Sequence, residues 1–200
     1  MLYFILTACV MDSPMREQQY FAAFTALQCY LVTNGFSDYR IIVVEGNGQR
    51  ETYLDELGCD VLYTTNNSLP TQNKGYKELV DVLAVINTYK IQDDDFVVKM
   101  TGRYVVGCDS PFMAALKDDL DCIIKYTDYL TPVNHRTRDC ISGLIGMRAK
   151  YIRQIELPAE HEAAEWKWAG VTYLIDENRI RNLPILGMRA HMDSVLMVLA

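Results

Sequence analysis

Residues 2–48 read LYFILTACVMDSPMREQQYFAAFTALQCYLVTNGFSDYRIIVVEGNG, and this stretch decides the fold. Its opening run, Leu2 to Met11, is apolar but far too short to cross a bilayer. It has neither the basic leader segment nor the small-residue cleavage site of a secretory signal, so it predicts a buried strand. Asp12-Ser13-Pro14 follows, two capping residue types and a proline suited to a first helical turn. Tyr20, Phe21, Phe24, Leu27, Tyr30 and Leu31 then recur at helical spacing until Gly35. Ile41-Ile42-Val43-Val44 is a β-branched run of the kind a strand buried on both faces shows, and Glu45-Gly46-Asn47-Gly48 is the loop that leaves it.

The same alternation continues outward. A short helix over 51–57, a strand at Val61-Leu62-Tyr63 and a helix from Gly75 to Tyr89 complete a β-α-β-α-β-α order. That order gives a mostly parallel sheet with helices on both faces and ligands at the carboxyl ends of the strands. Strands are expected at Phe96–Met100, Ile123–Tyr126 and Ser142–Met147, with a helix over Pro111–Leu120. A helix over Glu160–Trp168 and a strand over Val171–Ile175 break the alternation, so the sheet should be mixed. With no repeat, linker or low-complexity stretch, residues 1–200 read as one domain, complete or the N-terminal part of a longer protein.

Composition narrows the function. Nineteen Lys and Arg against 26 Asp and Glu leave a net charge of −7 with no basic stripe, which argues against nucleic acid. The six cysteines form no C-x-x-C pair and no dense framework, so reduced thiols and a cytoplasmic location are expected. Neither G-x-x-x-x-G-K-[ST] nor G-x-G-x-x-G occurs, which removes the main support for P-loop and dinucleotide-binding readings.

Three strand-end loops carry the polar groups: Thr7-Ala8-Cys9, Glu45 to Gly48, and Thr64 through Gly75. Glu45 could accept hydrogen bonds from a base or ribose, or E-G-N-G could be an ordinary turn. Asn73-Lys74-Gly75 precedes a long helix, where backbone N–H groups and a lysine suit a diphosphate or serve only as a helix entry. In DFVVKMTGRY, residues 95–104, Lys99 lies inside an apolar strand and must be paired or reach an anion. Arg103 could grip a phosphate, or close a salt bridge with Asp93–Asp95.

T-A-C-V, Arg16 and Tyr20 in the first helix, I-V-V-E-G-N-G, N-K-G-x-x-E-L and above all F-V-V-K-M-T-G-R-Y resemble the nucleotide-sugar glycosyltransferases of the GT-A fold, including those that build chlorella virus capsid glycans. The resemblance covers about residues 3–150. It implies a UDP-sugar donor, a hexosyl or deoxyhexosyl group transferred to a glycan or glycoprotein acceptor, a host-cytoplasmic viral setting, and a divalent metal, Mn2+ or Mg2+, on the diphosphate. It places the nucleotide at Thr7, Ala8 and Cys9, base or ribose near Glu45, and the diphosphate near Arg16 and Lys74; Asn73, Gly75, Lys99 and Arg103 are further candidates for binding the nucleotide-sugar. One departure stands out: Thr101-Gly102-Arg103 occupies the place of the usual D-x-D metal motif. Arg103 could therefore take over part of the metal's role, or Asp93–Asp95 or His191 could hold the metal.

An inverting transfer needs a carboxylate base for the acceptor hydroxyl. Glu162 and Glu165 are expected on one face of the acidic helix beside Trp166, or on a merely solvated face, and Asp128 after its strand is a further candidate. His135, Arg136 and Arg138 could belong to a lid. The alternatives are a non-catalytic nucleotide-sugar or glycan-binding domain, favoured by the missing D-x-D, and a sugar nucleotidyltransferase, disfavoured by the absence of a G-x-G-T-R-type loop.

Overall fold

A computed structural model describes residues 1–10, 13–48, 50–127, 139–192 and 195–199. Strand β1 (Leu2–Ala8) leads to helix α1 (Pro14–Thr33), which ends as Asn34 and then Gly35, at φ +72°, turn the chain into β2 (Tyr39–Glu45). Glycine has no Cβ penalty in that left-handed conformation. A 3-10 turn over Tyr53–Leu57 precedes β3 (Asp60–Tyr63), and α2 (Lys74–Thr88) precedes β4 (Phe96–Thr101). Then come β5 (Tyr104–Val106), α3 (Pro111–Ala115), β6 (Cys122–Ile124), β7 (Leu144–Arg148), α4 (Ala149–Ile152), α5 (Ala164–Val171), β8 (Ile180–Asn182), β9 (Met188–Met192) and β10 (Val195–Leu199).

The main sheet has seven strands in the order β3-β2-β1-β4-β7-β6-β8. The first four are parallel, β7 runs antiparallel to both β4 and β6, and β8 is parallel to β6. A smaller sheet orders β10-β9-β5 with antiparallel pairing. Side chains alternate across the strands, so Phe4, Leu6, Val98 and Met100 pack with Tyr20, Phe24 and Leu27 of α1 on one face. Tyr3, Ile5 and Val97 pack with Leu79, Val82 and Ile86 of α2 and with Trp168 of α5 on the other. The carboxyl ends of β1, β2 and β4 thus open along one edge between two helical layers, where such sheets bind ligands.

The expected architecture stands, with corrections in the second half. Val171–Ile175 is not a strand: Val171 ends α5 and Thr172–Leu174 forms a 3-10 turn. Its buried residues, Val171, Thr172 and Ile175, follow the helical spacing of one packed face rather than period two. Helix α5 begins at Ala164, so Glu162 lies ahead of it and shares no helical face with Glu165. Pro111 opens a helix that stops at Ala115 rather than Leu120. Asp128, His135, Arg136 and Arg138 lie outside the described residues.

Candidate functional site

The edge is built on buried charges, each tied to a loop. Glu45, last in β2, is fully buried. Its Oε1 accepts from the Val10 backbone N–H (3.1 Å) and from Arg50 Nη2 (3.4 Å), while Oε2 accepts from the Asn47 backbone N–H (2.9 Å). The Asn47 amide reaches the same carboxylate, so the loops after β1 and β2 are laced together. A ligand at this edge meets the groups that Glu45 holds rather than the carboxylate itself. Burial raises the pKa of Asp81, which accepts from Thr64 Oγ1 (2.6 Å) and Asn66 Nδ2 (2.7 Å) and so fixes the loop after β3. Cys9 is exposed, and its Sγ receives the side-chain amides of Asn47 and Asn67, both at 3.6 Å.

Tyr20 of α1 clamps the end of β1, its hydroxyl accepting from the Cys9 N–H at 2.8 Å. Burial pushes that hydroxyl's pKa up; the Cys9 hydrogen bond and the guanidiniums of Arg103 and Arg16 oppose the shift. Both arginines therefore stand within electrostatic reach of one point, the start of the loop after β1. Arg103 Nη1 also donates to the buried Gln19 side chain (3.4 Å). Gly102 permits this approach: its N–H donates to the Thr7 carbonyl (2.9 Å), and a Cβ there would lie 2.8 Å from the Tyr20 ring and 2.9 Å from the Thr7 oxygen. A cavity of about 640 Å³, lined by Val10, Ser13, Glu17, Arg50 and Tyr53, opens beside the first turn of α1. That size falls within the range of small-molecule sites.

On the opposite face of the same edge lies a second polar group. Lys99 is 1% exposed, its Nζ donating to Glu78 Oε2 and to the Ser142 carbonyl, both at 2.7 Å. Glu78 Oε1 accepts from Thr7 Oγ1 (2.5 Å), and Ser142 Oγ donates to Glu165 Oε1 (2.8 Å). Tyr104 lies between the two groups, over Gly143, where any Cβ would strike its ring. Burial raises its pKa, with Glu78 adding to the rise, Arg103 opposing it and Glu165 adding further.

The structure brings Thr7, Ala8, Cys9, Arg16, Glu45, Lys99, Arg103 and Glu165 to this edge. The Asn73-Lys74-Gly75 turn is occupied by its own chain. Asn73 Oδ1 caps the Tyr76 N–H (3.1 Å), and its amide donates to the carbonyls of Ala159 (2.7 Å) and Glu162 (2.9 Å). Gly75 is small because Ala164 packs on it, at 2.3 Å from where a Cβ would stand. Lys74 alone of the three is exposed. Glu162 is engaged by other partners: its carboxyl is held below the usual range by the Ala159 N–H (2.8 Å) and by Lys167 (3.1 Å).

Asp93–Asp95 precede β4 and pair with Arg153, Lys150 and the N-terminal ammonium. They lie at the far end of β4 from Arg103, roughly 20 Å away for six residues of strand. Neither a salt bridge to Arg103 nor a metal at the cleft fits that placement. His191 lies on β9 of the smaller sheet. Among the described residues no three His, Cys, Asp or Glu side chains come together to hold a metal. At the cleft edge Glu45, Glu78, Asp81 and Glu165 are each engaged by neighbours, so the described donor set does not fit a divalent cation. Sequence reasoning passed over Glu78, Ser142 and Tyr104. Glu78 is the acidic residue of N-K-G-x-x-E-L, and a lysine inside an apolar strand signals that some carboxylate must meet it.

Taken together, the strand order and the ligand edge define a GT-A fold, the fold of nucleotide-diphospho-sugar glycosyltransferases. Glucosyl-3-phosphoglycerate synthase of M. tuberculosis is 13% identical, with 96% of this chain and 72% of that chain covered and a TM-score of 0.55. The mannosyltransferase PcManGT of Pyrobaculum calidifontis, in complex with GDP-Man and Mn2+, is 9% identical over 98% of this chain, with a TM-score of 0.52. This chain spans only 56% of that mannosyltransferase. A glycosyltransferase involved in glycosylation of the major capsid of PBCV-1 is 6% identical over 90% of this chain and 82% of its own, but its TM-score of 0.47 carries no argument. At such identities the likeness establishes the fold alone. The sequence matches no protein-family model and no curated protein. No helix among the described residues is long and apolar enough to cross a membrane.

Proposed function

We propose that this chain, acting as one glycosyltransferase unit, moves a hexosyl or deoxyhexosyl group from a UDP-sugar to a glycan or glycoprotein acceptor. The observation that carries the reading is that, along one sheet edge, Arg103 acts on Tyr104 together with Glu78 and Glu165 and shares the Tyr20 hydroxyl with Arg16, so cations and carboxylates meet there. The nucleoside takes the cavity beside Val10 and Arg50, against Thr7, Ala8 and Cys9. Arg16 and Arg103, with exposed Lys74 reaching in, neutralise the diphosphate as it leaves, and charge-assisted contacts of this kind need no metal between them. Glu165 takes the acceptor proton. It suits that role better than Glu162, whose carboxylate is already taken by the Ala159 N–H and Lys167. The resemblance of the sequence motifs extends the proposal to capsid-glycan synthesis in a host cytoplasm.

The test is a thermal-shift and turnover panel of UDP, UDP-glucose, UDP-galactose and UDP-N-acetylglucosamine. UDP should raise the unfolding temperature by mass action, and at least one donor should release UDP. No stabilisation by UDP overturns the donor assignment. Stabilisation without any release supports instead the non-catalytic binding domain that Thr101-Gly102-Arg103 favours.

A further inference from the structure

We infer that Lys99 and Glu78 form a positioning pair that never touches the donor, holds the Ser142 peptide against the end of β4, and so aims the Ser142 hydroxyl at Glu165. The inference rests on the proposed role of Glu165 and concerns how that residue is held in place. Lys99 shares a face of β4 with Val97 and alternates with Val98 and Met100, in a strand whose packing an apolar side chain would serve as well. A buried ion pair is weak evidence for stability, because similar apolar residues often serve equally well or better. Its contacts to two separate elements therefore point to geometry rather than stability. Nζ spans two elements at once, Glu78 of α2 and the carbonyl just before β7, each at 2.7 Å. Backbone pairing adds to this hold, with the Thr101 N–H donating to the Gly143 carbonyl at 2.9 Å.

The relay then runs in two directions. Through Glu78 it reaches the Thr7 hydroxyl at the end of the donor strand (2.5 Å), and through Ser142 it reaches Glu165 (2.8 Å). One buried ammonium thereby holds the base in place, while the donor strand is held independently by its pairing with β2 and β4. A misplaced reacting group can cost on the order of 10²-fold in rate, and that is the loss expected when the ammonium is removed.

Lys99→Met, Glu78→Gln/Lys99→Met, Ser142→Ala and Glu165→Gln should be compared by UDP calorimetry, thermal unfolding and turnover of whichever panel donor the wild type uses. Lys99→Met should keep UDP affinity and lose turnover on the order of 10²-fold. The double variant, with no unpaired buried charge, should recover stability without recovering turnover. Lys99→Met/Ser142→Ala should lose no more than the worse single variant, because both break the same link.

Weakened UDP binding in Lys99→Met overturns the inference by making Lys99 a donor contact. Turnover that returns with stability in the double variant overturns it by making the pair purely structural. Should Lys99→Met not fold, Ser142→Ala decides alone: lost turnover with UDP affinity kept supports the relay, and wild-type turnover sinks it. Glu165→Gln separates the two readings. Wild-type turnover there removes the base assignment and the relay with it, whereas an inactive Glu165→Gln beside an active Glu78→Gln/Lys99→Met removes only the pair.

Discussion

The two ends of the main sheet both gather acids and bases, and they use them differently. At the amino end of β4, Asp93, Asp94 and Asp95 meet Arg153, Lys150 and the N-terminus, while Asp119 and Asp121 meet Arg148 and Arg179 where β6, β7 and β8 begin or end. Most of those acids are exposed, and exposed pairs contribute little, about 0–1 kcal/mol each. At the carboxyl end Glu45 and Lys99 are almost wholly buried, and each ties a loop or a neighbouring strand in place. Burying a charge costs several kcal/mol unless it is fully satisfied, so charges kept there mark the end where geometry matters. The contrast separates a surface of mostly exposed, solvent-screened pairs from an edge whose buried charges fix its loops and strands.

The strongest way to break this comparison is at the proposed base. Glu165→Gln should lower transfer by about 10²- to 10⁴-fold with UDP affinity intact, and Glu162→Gln should transfer like the wild type. Initial rates for both variants check it, and the reverse order would move the reactive carboxylate away from the edge. Next is the cationic group. Arg103→Ala or Arg16→Ala should cost about 1.5–3 kcal/mol of UDP binding, the worth of a hydrogen bond to a charged group, and leave uridine binding nearly unchanged. Calorimetry with both ligands decides, and equal losses would make the arginines structural.

A third effect tests whether Gly75 is there for packing. With Ala164 already at 2.3 Å from the added methyl, Gly75→Ala should destabilise the fold by about 1–3 kcal/mol, read from urea unfolding. No loss would mean that the turn yields and that its glycine serves a ligand. The smallest change belongs to the amino end. Asp93→Asn should shift stability by less than about 1 kcal/mol and leave UDP binding alone, since the Asp93 side chain is 69% exposed. A larger loss would erase the distinction between the two ends.

The first half of the fold was legible because its strands are continuous apolar runs and its helices carry long, regularly spaced faces, signals that need no knowledge of partners. Val171–Ile175 misled because a short apolar run has the same composition in a strand and in a helical turn. Tyr104–Val106 and Met188–Met192 pair across more than 80 residues of chain, and nothing local in either segment announces the other. The site was legible as residue types and not as partnerships. Arg16 and Arg103 suit an anion wherever they stand, whereas the demand of Lys99 for a carboxylate is evident in the strand and its answer, Glu78, lies 21 positions earlier on a helix. Glu45 shows the converse: its position at the strand end was correctly read, but its oxygens are filled by neighbours that the sequence does not reveal.

The contacts around Gly102 bear on any attempt to test the proposed donor edge by varying its residues. Because the Thr7 carbonyl and the Tyr20 ring both stand within 3 Å of where a side chain would begin, this position forms a hinge pin between β4, β1 and α1. A randomised library should therefore hold residue 102 fixed while varying 101 and 103. Members that mutate it would report damage to the framework, and selection would read that damage as a change of preference.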